Sequence, residues 1–191
     1  LQLSEISLAA GDALLASKRL EETLAAWATL PMDADLKIRL ATNSLLLALL
    51  RQANGDAEAG PSFVVARKAL AAVPKTEVDL ERLDQLLAIL DFNEAKLLAA
   101  RGDDAKALEQ LMRATQTLNR IADQRPDAAI LRSELAACYL SSATILEGMG
   151  SLGDAREVRS LATVELAKLL KERPSDFPLR LEILSHILHH F

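Results

Sequence analysis

The chain has 191 residues, half of them hydrophobic but only 3% aromatic, and a formal net charge of −5. Apolar mass built from Leu and Ala favours helices over sheets, which draw on β-branched and aromatic side chains. The acidic balance and the absence of any Lys/Arg run exclude a nucleic-acid backbone as the main partner.

The longest purely apolar run, Leu45–Leu50, is too short to cross a bilayer, so no membrane role is expected. Cys138 is the only cysteine, which excludes an internal disulfide. The chain begins at Leu1 and carries no recognisable signal peptide, so it reads as a segment of a larger protein with a cytoplasmic address favoured.

Periodicity and caps predict nine helices in chain order, at 3–17, 20–30, 34–53, 62–73, 77–101, 104–124, 128–148, 153–172 and 176–190. Asp33, Ser62, Thr76, Asp103, Asp127, Ser151 and the pair Ser175/Asp176 stand where N-caps belong. The breaks fall at Ser17–Arg19, Asn54–Pro61, Gly102 and Gly148–Gly153. Helix 34–53 is apolar nearly all round and must be covered on more than one side. The connection Gln52–Pro61, with two glycines and no apolar anchor, is expected to be the most mobile internal loop.

Pro31, Pro74, Pro126 and Pro174 divide the chain into hairpins of about 1–31, 32–74, 75–126 and 127–174, with a terminal helix at 175–191. The last step is an internal repeat of 48 residues. Arg125-Pro126-Asp127 returns as Arg173-Pro174-Ser175-Asp176, and Gly102, Ala107 and Ala114 return as Gly150, Ala155 and Ala162.

Gly11, the basic Lys18-Arg19 turn, Thr23 and Trp27 give the first hairpin the pattern of small, basic, small and large aromatic residues. In that respect it resembles a tetratricopeptide repeat. The later, longer repeats, with the Pro-Asp turns at 122–127 and 171–176, resemble repeats found C-terminal to eukaryotic-like serine/threonine kinases of bacteria. The resemblance implies an all-α, right-handed solenoid of antiparallel hairpins, one domain over 1–191, with Trp27 largely buried as hairpin packing. No kinase motif is present: Asp91-Phe92-Asn93 and Asp176-Phe177-Pro178 lack the glycine of the metal-binding loop.

His186, His189 and His190 have a spacing that can put two imidazoles on one helix face, but no second segment offers further ligands. A polar helix end is the simpler reading, and no metal or cofactor is expected. Cys138 has no His or Lys beside it to make a thiolate, and is read as core, as is Tyr139. No catalytic constellation can be nominated, so no enzymatic activity is expected.

In the family the first helix of each hairpin lines a concave groove. Alignment on the small residues nominates Glu5 and Asp12 in the first repeat, and Arg39 and Asn43 in the second. It also nominates Asn93 and Lys96 in the third, and Ser141, Thr144 and Glu147 in the fourth. The function that follows is a protein-interaction module of a bacterial multidomain protein, such as a regulatory kinase, holding a peptide or helix in that groove. The rival is self-association through the repeat ends, with a homodimer formed by the apolar helix 176–190.

Overall fold

The computed structural model describes residues 13–27, 29–30, 33–74, 80–125 and 129–172. Seven helices account for nearly all of them, and no described residue lies in a strand. They are α1 (Ala13–Trp27), α2 (Ala34–Ala53), α3 (Ala59–Ala71), α4 (Leu80–Ala100), α5 (Asp104–Gln124), α6 (Ala129–Gly148) and α7 (Leu152–Glu172). The all-α expectation holds, with seven helices described instead of nine. The expected terminal helix 176–190 lies outside the described residues.

The other difference is local. The expected helices 3–17 and 20–30 are, where described, a single helix, and Ser17–Arg19 is no turn. Lys18 and Arg19 are straight-chain helix formers, and neither Gly nor Pro interrupts them. Ala16 and Leu20, four residues apart, are both buried and meet Leu47 and Leu50 of α2. A break between them would split that face. Trp27 closes α1 and is only partly buried, so it is no core anchor.

The chain divides into two compact units, Leu1–Leu90 and Asp91–Phe191, with the division inside α4. In the first unit α2 packs against both α1 and α3. That accounts for its nearly all-round apolar character: Ala41, Leu45, Leu47, Ala48 and Leu50 are all buried. Asp33 caps α2 as expected, its Oδ1 accepting from the Leu36 amide at 2.8 Å. Ser62 does not cap α3. The helix begins three residues earlier, and the Ser62 hydroxyl donates to the Glu58 carbonyl at 2.7 Å. The expected loop Gln52–Pro61 shrinks to Asn54–Glu58, tied by Asp56, whose Oδ1 accepts from the Glu58 amide.

In the second unit α6 packs against α5 and α7. Ala136 meets Leu166 and Leu169, with Ala129 and Leu170 beside them. Asp103 sits at the N-cap of α5 but makes no side-chain cap bond.

The turns that follow α2, α4 and α6 are the same turn. Gly102 has φ +80° and Gly150 φ +81°; each amide bonds back three residues, and the next residue's amide bonds back five, at 2.9 Å in both cases. This left-handed close of a helix satisfies carbonyls that otherwise lack partners. Gly55 makes it too, with Asp56 bonding to Arg51.

The repeat therefore reaches further towards the N-terminus than the segment carrying the Pro-Asp turns at 122–127 and 171–176. Ala59, Ala66, Leu70 and Val73 are buried at or just beyond α3. Ala107, Ala114, Leu118 and Ile121, each 48 residues later, are buried in α5, and Ala155, Ala162, Leu166 and Leu169 in α7. The preceding helices carry their own pair: Ala41 and Ala48, Ala88 and Ala95, Ala136 and Ala143, all at 0 or 1% exposure. Alanines seven apart lie on one face after two turns and let helices approach closely. The α2–α3 turn is one residue shorter after its glycine, which puts the first hairpin out of step with the others.

Candidate functional site

Glu5, Asp12, His186, His189 and His190 lie outside the described residues. Of the nominated residues that are described, Arg39 and Asn43 belong to the first unit, and Asn93, Lys96, Ser141, Thr144 and Glu147 to the second. Arg39 is exposed and pairs with Asp35 of its own helix at 2.7 Å. Asn43 is buried, and its Nδ2 donates to the Arg39 carbonyl at 2.8 Å. Asn93 is buried as well. These two asparagines are interior groups, contrary to the surface role that alignment assigned them. Asn43 falls four residues past Arg39 on a helix covered from two sides, where an amide needs an internal partner.

Lys96 is exposed, its Nζ 5.6 Å from the centre of the Phe92 ring. Ser141 is half-buried, and the exposed Thr144 donates its hydroxyl to the Leu140 carbonyl. Glu147 accepts from Arg159 of α7. Cys138 is 1% exposed, and its thiol is pushed up from 9.0 to about 12, chiefly by burial, then by Glu134 and Asp91. It is a core residue, as expected. Tyr139 is half-buried and accepts from Asn119 at 3.0 Å. Among the described residues no three His, Cys, Asp or Glu side chains gather as a metal site, and no helix is long and apolar enough to cross a membrane.

A further cleft brings together residues from three helices. In the first unit, α1, α2 and α3 enclose a cleft of about 250 Å³. Ser44, Leu47 and Arg51 of α2 form one wall, at a spacing that keeps them on one face. Glu21 and Leu24 of α1 and Ser62 and Val65 of α3 complete it.

Arg51 holds the three helices together at one end. Its Nη2 donates to Glu21 Oε1 at 2.6 Å and its Nη1 to Ser62 Oγ at 2.5 Å. Its Nε lies 3.6 Å from Asp56 Oδ2, buried and without a hydrogen bond. A guanidinium held by three groups is fixed in place before any ligand arrives. Of the cleft's polar residues, the sequence pattern singles out only Ser62, as a cap. The available signal was a cation ending an apolar helix face two turns after a serine.

A second charged cluster joins α6 to α7. Glu165, 7% exposed, accepts from Arg132 at 3.0 Å and from Lys168 at 2.5 Å. Its Arg132 pair ties α6 to α7.

Comparison with protein-family models, with curated proteins and with solved structures finds no match.

Proposed function

We propose that the chain is a protein-interaction module built of tetratricopeptide-like hairpins, part of a larger bacterial protein, and that it binds a peptide or helix. The supporting observation is the set of buried positions present in three copies 48 residues apart, each preceded by the same glycine turn. A module that repeats its interior while varying its surface suits recognition of extended partners. Catalysis, cofactors and nucleic acid have no part in this reading.

Selection from a random peptide display library against the full chain tests it. The expected result is peptides that bind saturably at micromolar concentration and compete with one another; failure to enrich any such peptide contradicts it. Extension of the array is tested by small-angle scattering, because a compact chain of this length has a radius of gyration of about 16 Å and an extended array exceeds it.

Leu161 and Val164 on α7 are 43% and 50% exposed and lie three residues apart on one face. They favour a second reading, self-association. Sedimentation across a hundredfold range of concentration separates the two, with a constant monomer mass removing the second.

A further inference from the structure

The cleft between α1, α2 and α3 has features that specify a ligand, and we propose that it is the anchor pocket for one aliphatic side chain of a partner polypeptide together with the uncharged backbone amide beside it. This rests on the reading of the chain as a peptide-binding module.

The first feature is size. At about 250 Å³ the cleft is smaller than pockets that hold whole cofactors or drug-sized ligands, which start at roughly 300 Å³. It has room for a side chain and its backbone. Leu24, Leu47 and Val65 supply apolar wall, and Val65 is 57% exposed at the surface of α3.

The second is Ser44. Among the described residues, the helical hydroxyls of Thr23, Ser62, Ser142, Thr144 and Thr163 donate to the carbonyl four residues back. Ser44 is 6% exposed, lines the cleft, and makes no hydrogen bond to any described residue. That leaves the Ser44 hydroxyl available to a ligand in the cleft, as donor and as acceptor.

The third is charge. Arg51 and Glu21, the two charged groups in the lining, are bonded to each other. A carboxylate on the ligand would meet Glu21, and an ammonium would meet Arg51. A neutral amide carries both a donor and an acceptor, and can use Ser44 and the unspent N–H groups of Arg51 without facing a like charge.

The test is a methyl and amide NMR titration of the full chain with three probes: N-acetyl-leucinamide, N-acetyl-leucine and leucinamide. The neutral probe is expected to bind in the millimolar range, with saturable shifts at Leu24, Leu47 and Val65. Both charged probes are expected to bind about tenfold or more weakly. Ser44→Ala should weaken the neutral probe by roughly threefold to tenfold while leaving the spectrum folded, as loss of one hydrogen bond requires. Ser44→Leu, if folded, should abolish binding by filling the space.

No saturable shift at the cleft overturns the proposal. So does equal or tighter binding of a charged probe, unchanged affinity in Ser44→Ala, or shifts of the same residues on protein concentration alone, which would mark a second copy as the occupant. A library peptide that binds Ser44→Leu as well as wild type would sink the anchor pocket and leave the interaction module standing.

Discussion

Arg159 of α7 stands 48 residues after Leu111 of α5, at the same place in the repeat, and gives its guanidinium to Glu147 where Leu111 is wholly buried. Phe63 fills the equivalent place in α3 at 1% exposure. Arg159 is 12% exposed in its side chain and keeps its Nε buried without a partner, whereas Glu147 is 39% exposed. A mostly buried cation with an unmet donor, paired to an exposed carboxylate, contributes little beyond an apolar residue of similar volume. Arg159→Leu is therefore expected to be as stable as wild type or more stable by up to about 2 kcal/mol. Arg159→Ala, which also removes the packed stem, should cost about 1–3 kcal/mol. Urea denaturation of both variants checks the order; a loss in Arg159→Leu as large as that in Arg159→Ala contradicts it.

The glycine turns give a second expectation. A Cβ built on Gly102 or Gly150 meets nothing within 4 Å, so only the left-handed backbone resists a side chain there. Gly102→Ala and Gly150→Ala should each cost about 1–2 kcal/mol, and the two costs should agree closely because the turns do. Equilibrium unfolding of the single variants measures this. A near-zero cost at one glycine and a large cost at the other would show that the turns are not equivalent.

Much of this architecture is legible before any coordinates. Helices 34–53 and 104–124 are bounded where Asp33, Gly55, Gly102 and Arg125 suggest, because caps and glycines act locally. The break expected at Ser17–Arg19 is absent, because Lys18 and Arg19 are good helix formers and the basic pair of a repeat turn looks the same in sequence as a basic pair within a helix. Ser62 was misplaced because a serine within the first helical turn and a serine before it look alike in sequence. The third copy of the repeat was hidden by the one-residue shortening after Gly55. The cleft was hidden for a different reason: Glu21, Ser44, Arg51 and Ser62 come from three helices, and only packing brings them together.

Helix capping provides a contrast between two aspartates. Asp33 accepts from the Leu36 amide, and Asp103, at the corresponding place on α5, makes no cap bond. Asp33→Ala should cost about 1 kcal/mol, a typical value for a lost N-cap. Asp103→Ala should cost a few tenths of that, since its contact with Lys106 at 3.7 Å is exposed. Thermal denaturation of the pair decides it, and equal losses would show that Asp103 caps α5 in solution.

Cys138 makes stability depend on pH in the alkaline range. Its thiol is held neutral to about 12 in the folded chain, against 9.0 without the fold's influence. Between those values the folded state binds the proton and the unfolded state has lost it, so rising pH favours unfolding. This contribution is fully present below about pH 9 and declines above it with a slope near 1.4 kcal/mol per pH unit, up to about pH 12. Other groups titrate there too, so the measurement is a comparison: wild type should lose stability more steeply than Cys138→Ala between pH 9 and 11. Parallel curves would contradict the burial of the thiol, as would rapid native-state labelling of Cys138 by iodoacetamide at neutral pH.

The 48-residue hairpin as an interchangeable unit is tested most directly by removing one period. Deletion of Gly102–Met149 joins Arg101 to Gly150, restoring the same glycine turn and placing Ala155 and Ala162 where Ala107 and Ala114 stood. A control deletion of Asp103–Leu152 keeps Gly102 after Arg101 but advances Ala155 and Ala162 by two positions, about 200° round the helix, and turns the buried face away. Helical circular dichroism followed through urea denaturation compares the two. The expected result is a helical, cooperatively unfolding chain for the in-register deletion and loss of cooperative unfolding for the control. Equal behaviour of the two chains, folded or unfolded, would contradict the repeat.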